Sequence, residues 1–180
     1  DPNLSGRLAT QWHLSRGAIH RLTGKLAPGW IVEGLETVPA DAMTDWFINA
    51  NGKDQQVEIQ LARPATSTRS VTVIITARLQ RFNLNEPFSS DTMRIVSWDN
   101  AKVSRHLLTF QSSDPYAVVP VGDLAPGPET LDAPDRELLD SAADEKVFDI
   151  TASSRNSGLK LAARRGQFSA AIDIELHYEN

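Results

Sequence analysis

The stretch VEIQLARPATSTRSVTVIITARL, residues 57–79, carries the clearest structural signal in the chain. At its start, Val57, Ile59 and Leu61 alternate with polar residues. At its end, apolar residues recur at every second position from 71 to 79. Successive side chains of a β-strand point to opposite faces, so this period of two predicts two strands that each turn one face toward a core. The second run is rich in Val, Ile and Thr, whose branched side chains fit a pleated sheet.

A hairpin is predicted immediately before this stretch. Trp46, Ile48 and Ala50 alternate with other residues and lead into Asn51-Gly52. Asn-Gly tolerates the positive φ that a tight turn needs, and alternating segments flank it on both sides. The polar residues that follow allow a connection of two residues or more.

The rest of the chain is also predicted to form mostly short strands. Period-two runs lie at residues 8–14, 18–22, 31–35, 93–98, 106–111, 116–121, 147–151, 159–163 and 168–178. Helix signals are few: Pro39 to Asp45 predicts one turn, and 134–143 predicts a short helix with acids in its first turn. This pattern predicts an all-β fold, an antiparallel β-sandwich of about ten to twelve strands with one short helix in the second half.

The chain length of 180 residues suits one large domain or two small ones. Residues 122–134 are rich in Pro and Gly, which predicts either a long surface loop or a linker. We favour one domain over residues 1–180 with a surface loop, because the part after Glu145 is short for an independent β domain. The first residue is Asp1 rather than Met, so we expect a mature product, a trimmed form or, most simply, a fragment of a longer protein.

Composition excludes several classes of protein. There is no Cys, so a disulfide framework, a zinc–thiolate site and a Cys nucleophile are excluded. No run of about 18 apolar residues predicts a transmembrane helix. The net charge is −5, and residues 113–149 hold ten acidic and two basic residues. Because there is no basic stripe, nucleic acid is not a predicted partner.

Catalytic motifs are absent from the sequence. It contains no Gly-x-Ser-x-Gly, no phosphate-binding glycine loop and no His-Glu-x-x-His. The four histidines lack ligand spacing. A hairpin across Gly17 would bring His13 and His20 together, but the polar sides of ordinary strands explain all four histidines. The 23 carboxylates offer many acid pairs for glycan hydrolysis, and spacing selects none of them. We therefore expect no enzyme, with a glycan-active domain as an alternative.

The four tryptophans allow two interpretations. Large aromatic side chains often anchor two packed sheets. Trp12 and Trp46 lie in apolar runs, so we predict that they belong to the core. Trp30 and Trp98 fit either the core or a carbohydrate-binding surface. In the second case their rings have to be exposed and coplanar on one face of a carbohydrate-binding module.

An acidic stretch gives the best metal candidate. Asp132, Asp135 and Glu137 offer the oxygen ligands that calcium prefers. No Asp-x-Asp-x-Asp-Gly loop accompanies them, so we favour the interpretation that they lie on a solvated helix face. The expected state is no cofactor, with calcium as the alternative.

The first half of the chain resembles a known kind of sequence. Trp12, Pro28-Gly29-Trp30 and Trp46, followed by residues 57–79, are similar to uncharacterised β-rich segments of very long bacterial envelope proteins. The resemblance implies an extracytoplasmic protein built from several modules, and it implies no catalytic residue.

These observations predict a non-catalytic structural or interaction module of a larger bacterial surface or periplasmic protein. Its expected partners are other modules of the same chain or another envelope protein, with glycan as an alternative. Exposed strand edges or end loops are expected to make the contacts. The expected location is the cell surface or periplasm, and the cytoplasm is the alternative.

Overall fold

The computed structural model describes residues 4–12, 14, 16–51, 54–80, 87–99, 103–112, 116–121, 139, 147–149 and 158–163. The strands in this part of the chain are β1 Leu4–Trp12, β2 Ala18–Leu26, β3 Trp30–Val38, β4 Met43–Asn51, β5 Asp54–Thr66, β6 Val71–Leu79, β7 Phe88–Ser89, β8 Val96–Trp98, β9 Val103–Ser112, β10 Tyr116–Val121, β11 Val147–Asp149 and β12 Gly158–Ala163. A 3-10 turn, Ala40–Ala42, joins β3 to β4, and a one-turn helix α1, Ser90–Met93, precedes β8.

Two antiparallel sheets enclose the main core. One has five strands in the order β11-β9-β1-β6-β3, and the other has four in the order β4-β5-β2-β8. One cluster of buried apolar side chains draws on both sheets. Leu8 and Ile75 from the first sheet and Ile59 from the second are each 0% exposed. The predicted fold class, an all-β sandwich, is therefore confirmed.

A third sheet was not predicted. β10, β12 and β7 form a separate antiparallel sheet in that order. β7 is short, and it pairs with β12 at Ser89↔Gly158 and Phe88↔Leu159. Alternation identifies a segment as a strand, but it does not tell which sheet the strand joins. The prediction of two layers therefore described the main core and left out this addition.

Most consecutive strands lie in different sheets. β1, β3 and β6 belong to the five-stranded sheet, whereas β2, β4 and β5 belong to the four-stranded one. The turn between β2 and β3 contains Gly29, whose φ of 88° favours glycine. Because β1 and β2 lie in different sheets, they do not pair as a hairpin across Gly17. The predicted hairpin at Asn51 is confirmed, since β4 pairs with β5 up to Asn51↔Asp54.

A second apolar cluster lies on the other face of the five-stranded sheet. It consists of Ala9, Ile74, Leu107 and Leu139. Leu139 is helical and 1% exposed, and it is the described residue of the helix predicted at 134–143. β6 is buried on both faces over its first five residues, and on this outer face Leu139 belongs to the same cluster as Ile74. The strand predicted at 168–178 and the loop at 122–134 lie outside the described residues.

The strand predicted at 93–98 is wrong in its first part. Met93 ends α1, Ile95 has a φ of 55°, and β8 begins only at Val96. A branched residue in this left-handed region is strained. Met93, Ile95 and Val96 are all 0% exposed, so their apolar spacing reflects a segment that fills one end of the core. The alternation of apolar residues in this segment therefore reflects burial alone, because the backbone at Ile95 is not extended.

Candidate functional site

Trp12 and Trp98 form one aromatic pair inside the sandwich. Trp12 is 2% exposed, which confirms its predicted place in the core. Trp98 is half-buried, and its ring meets that of Trp12 edge-on at a centroid distance of 4.8 Å. The Trp98 indole Nε1 donates to Thr10 Oγ1 at 3.3 Å. Both the ring and the polar atom of Trp98 therefore have partners within the protein.

Trp30 is buried in the core. It is 1% exposed, and its indole Nε1 donates to the Thr92 backbone oxygen at 2.7 Å. Its ring stacks on Phe110 at a centroid distance of 6.2 Å. The carbohydrate-binding alternative requires Trp30 and Trp98 to expose coplanar rings on one face. Trp30 has no exposed ring to contribute.

The acidic candidates cannot be placed. Asp132, Asp135 and Glu137 lie outside the described residues, so the calcium site stays a prediction. In the described ranges, no three His, Asp or Glu side chains are grouped as a metal site. Helices of the described residues are too short or too polar to cross a bilayer.

Strand edges are the remaining predicted contact surface. In the described part of the chain, β3 and β11 border the five-stranded sheet, and β4 and β8 border the four-stranded one. β8 and β11 have only three residues each. The β3 ladder is interrupted between Val32 and Gly34, and Glu33 at this point pairs with Arg78 at 2.8 Å. Short length, bulges and charges all disfavour pairing with a further strand.

In β4 these protections are confined to its first residues, where the ladder with β5 shifts register between Met43 and Asp45 and where Asp45 is charged. It has nine residues, and its ladder with β5 is continuous from Asp45 onward. The Trp46 backbone N–H donates to Asp45 Oδ1 at 2.8 Å, which places Trp46 among the residues whose N–H points away from β5. Inward and outward backbone groups alternate along an antiparallel strand. Ile48 and Ala50 therefore also point their backbone groups outward, where no described strand pairs with them.

The side chains of β4 favour contact as well. Trp46 and Ile48 are half-buried and pack against the main core, and Phe47 is half-buried opposite Glu58. β4 contains no Lys or Pro, and Asp45 is its one charged residue. Sequence reasoning pointed to strand edges in general, but it did not single out β4. Identifying β4 as the open edge requires knowing which strands pair with each other, and alternation along the sequence does not reveal the pairing.

Comparison with known proteins finds no matching family model, no matching curated protein and no matching solved structure.

Proposed function

We propose that the chain is a non-catalytic structural or interaction module of a larger bacterial surface or periplasmic protein. In this role it binds an extended strand of an adjoining module along the outer edge of β4. The observation that supports the contact is the row of outward backbone groups at Ile48 and Ala50 beside half-buried apolar side chains. Backbone hydrogen bonds supply affinity at such an edge, and the neighbouring side chains supply specificity.

Hydrogen exchange of single backbone amides tests this contact. In the isolated chain, we expect the amides of Ile48 and Ala50 to exchange at least about tenfold faster than those of Phe47 and Asn49, which bond to β5. In the full-length protein, an added strand has to slow the exchange of Ile48 and Ala50 to the rate of their neighbours. Equal exchange of Ile48 and Ala50 in the two proteins contradicts the proposal.

Two proline variants of β4 test the same contact: Ala50→Pro removes an outward N–H, and Asn49→Pro, the matched control, removes an inward one. Ala50→Pro removes one outward N–H and leaves the ladder with β5 intact, so the isolated chain should keep its free energy of unfolding within about 1 kcal/mol. The full-length variant should lose the protection of Ile48. Asn49→Pro removes an inward donor instead, and it should destabilise the isolated chain markedly more.

A further inference from the structure

A small cleft lies at the corner where β3 passes to β4 and β5 passes to β6. Its volume is about 100 Å³, and it is lined by Pro39, Asp41, Ala42, Arg63, Arg69 and Val71. This volume admits several water-sized groups. It therefore suits the charged end of a small molecule or one unit of a larger one.

Backbone hydrogen bonds hold both walls of the cleft in place. On one side, the Pro39 carbonyl oxygen accepts from the Ala42 N–H at 3.0 Å and from Thr37 Oγ1 at 3.0 Å. On the other side, Thr66 and Arg69 exchange two backbone hydrogen bonds of 3.0 and 3.2 Å. Walls that are fixed before binding lose little conformational freedom when a ligand arrives.

The two arginines of the cleft differ from others on the surface. Arg63 and Arg69 are exposed, and neither forms an ion pair or a side-chain hydrogen bond within the described part of the chain. By contrast, three arginines on the strands each face a glutamate: Arg7 with Glu36, Arg21 with Glu58 and Arg78 with Glu33. The cleft therefore brings two cations to one place with no described anion bonded to them.

The Asp41 carboxylate restricts which anions the cleft can bind. A guanidinium group matches the geometry of both carboxylate and phosphate. The Asp41 carboxylate opposes a dianion more strongly than a monoanion, and it accepts a hydrogen bond from a neighbouring donor. Pro39, Ala42 and Val71 contribute apolar atoms to the lining of the cleft.

We propose that the cleft binds a hydroxy-carboxylate: its carboxylate lies between Arg63 and Arg69, and its hydroxyl group donates to Asp41. The same chemistry occurs in a free hydroxy acid and in the acidic sugar unit of a polysaccharide. This site is independent of the β4 contact, because it involves other residues and another type of ligand.

Titration of the isolated chain with lactate, galacturonate and inorganic phosphate, followed by NMR of the arginine side chains, tests the site. We expect lactate or galacturonate to shift the Nε–Hε signals of Arg63 and Arg69, with phosphate binding more weakly. Tighter binding of galacturonate assigns the site to an acidic sugar, and equal or tighter binding of lactate assigns it to a free acid. Each result supports the proposed chemistry.

Substitutions distinguish binding in the cleft from nonspecific attraction of anions to positive charge elsewhere on the surface. Arg63→Met and Arg69→Met should each weaken binding about tenfold or more, since each removes a charge-assisted hydrogen bond. Asp41→Asn should strengthen phosphate binding. Arg78→Met, at the far end of β6, is the control and should change nothing. The proposal is overturned if neither acid shifts the signals, if phosphate binds the native chain best, or if Arg78→Met weakens binding equally.

Discussion

Two glycines let neighbouring strands and core side chains approach very closely. A Cβ at Gly24 would lie 2.6 Å from Val96 Cγ1 and 3.1 Å from the Ser97 backbone oxygen. A Cβ at Gly6 would lie 2.9 Å from Ile95 Cδ1. Protein interiors are packed as densely as organic crystals, so even one added carbon has to displace its neighbours. The segment around Ile95 and Val96 thus depends on the absence of side chains opposite it.

Gly24→Ala should destabilise the chain by about 1 to 3 kcal/mol, because its Cβ meets backbone as well as side chains. Urea unfolding measures this loss. Gly34→Ala is the matched control: a Cβ there meets nothing within 4 Å, and its φ is not positive. This variant should be neutral or up to about 1 kcal/mol more stable. Equal destabilisation by both variants would show that packing at Gly24 is not the cause.

β4 combines an open edge with one charged residue, Asp45. Asp45 accepts a hydrogen bond from the Trp46 N–H, so one outward donor of β4 is already satisfied inside the chain. The same side chain places a negative charge where a second strand would begin to pair. Charged residues on edge strands limit association between identical chains. We therefore expect Asp45 to limit the pairing of β4 with another copy of the chain.

Asp45→Ala should increase self-association, because it frees the Trp46 N–H and removes the one charge of β4. Sedimentation velocity over a range of concentrations measures the effect, and the variant should form dimers or larger species at lower concentrations than the native chain. Asp91→Ala removes an equal charge on α1 and serves as the control. If the two variants associate alike, net charge rather than the edge of β4 is responsible.

Alternation in the sequence predicted the bounds of two strands correctly. The predicted ranges 71–79 and 116–121 coincide with β6 and β10. Prediction failed at Met93 and Ile95, where both side chains are buried in a segment that is not extended. Alternation in a sequence indicates that every second residue is buried. Such a segment is a strand only if its backbone is also extended. The φ of Ile95 depends on tertiary packing, which no local pattern reveals.

The sequence predicted the architecture of the protein better than it predicted the candidate sites. Core positions such as Trp12 follow from alternation. The edge of β4 and the cleft between Arg63 and Arg69 depend on sheet order and on which corners meet, so residue spacing alone could not predict them. Trp30 illustrates the same limit, because its position after a turn fitted both a buried and an exposed ring.

One domain over residues 1–180 stays a prediction, and calorimetry tests it. The main core joins both large sheets, so we expect one cooperative unfolding transition whose calorimetric and van't Hoff enthalpies agree. Two separate transitions would indicate that residues 122–134 link two domains. A chain ending after Val121 supplies the comparison: if a second domain exists, this shorter chain should retain the first transition unchanged.

The central place of β1 has a consequence for biosynthesis. β1 is synthesised before β6 and β9, yet Leu4 pairs with Leu79 of β6 on one side and with Ser112 of β9 on the other. At roughly 5–20 residues per second, about 5 to 20 s separate the synthesis of β1 from that of β9. During that interval the nascent chain carries an apolar strand with an unpaired side. Of these three strands, the one made first therefore gains its second neighbour only after residues 103–112 have been translated.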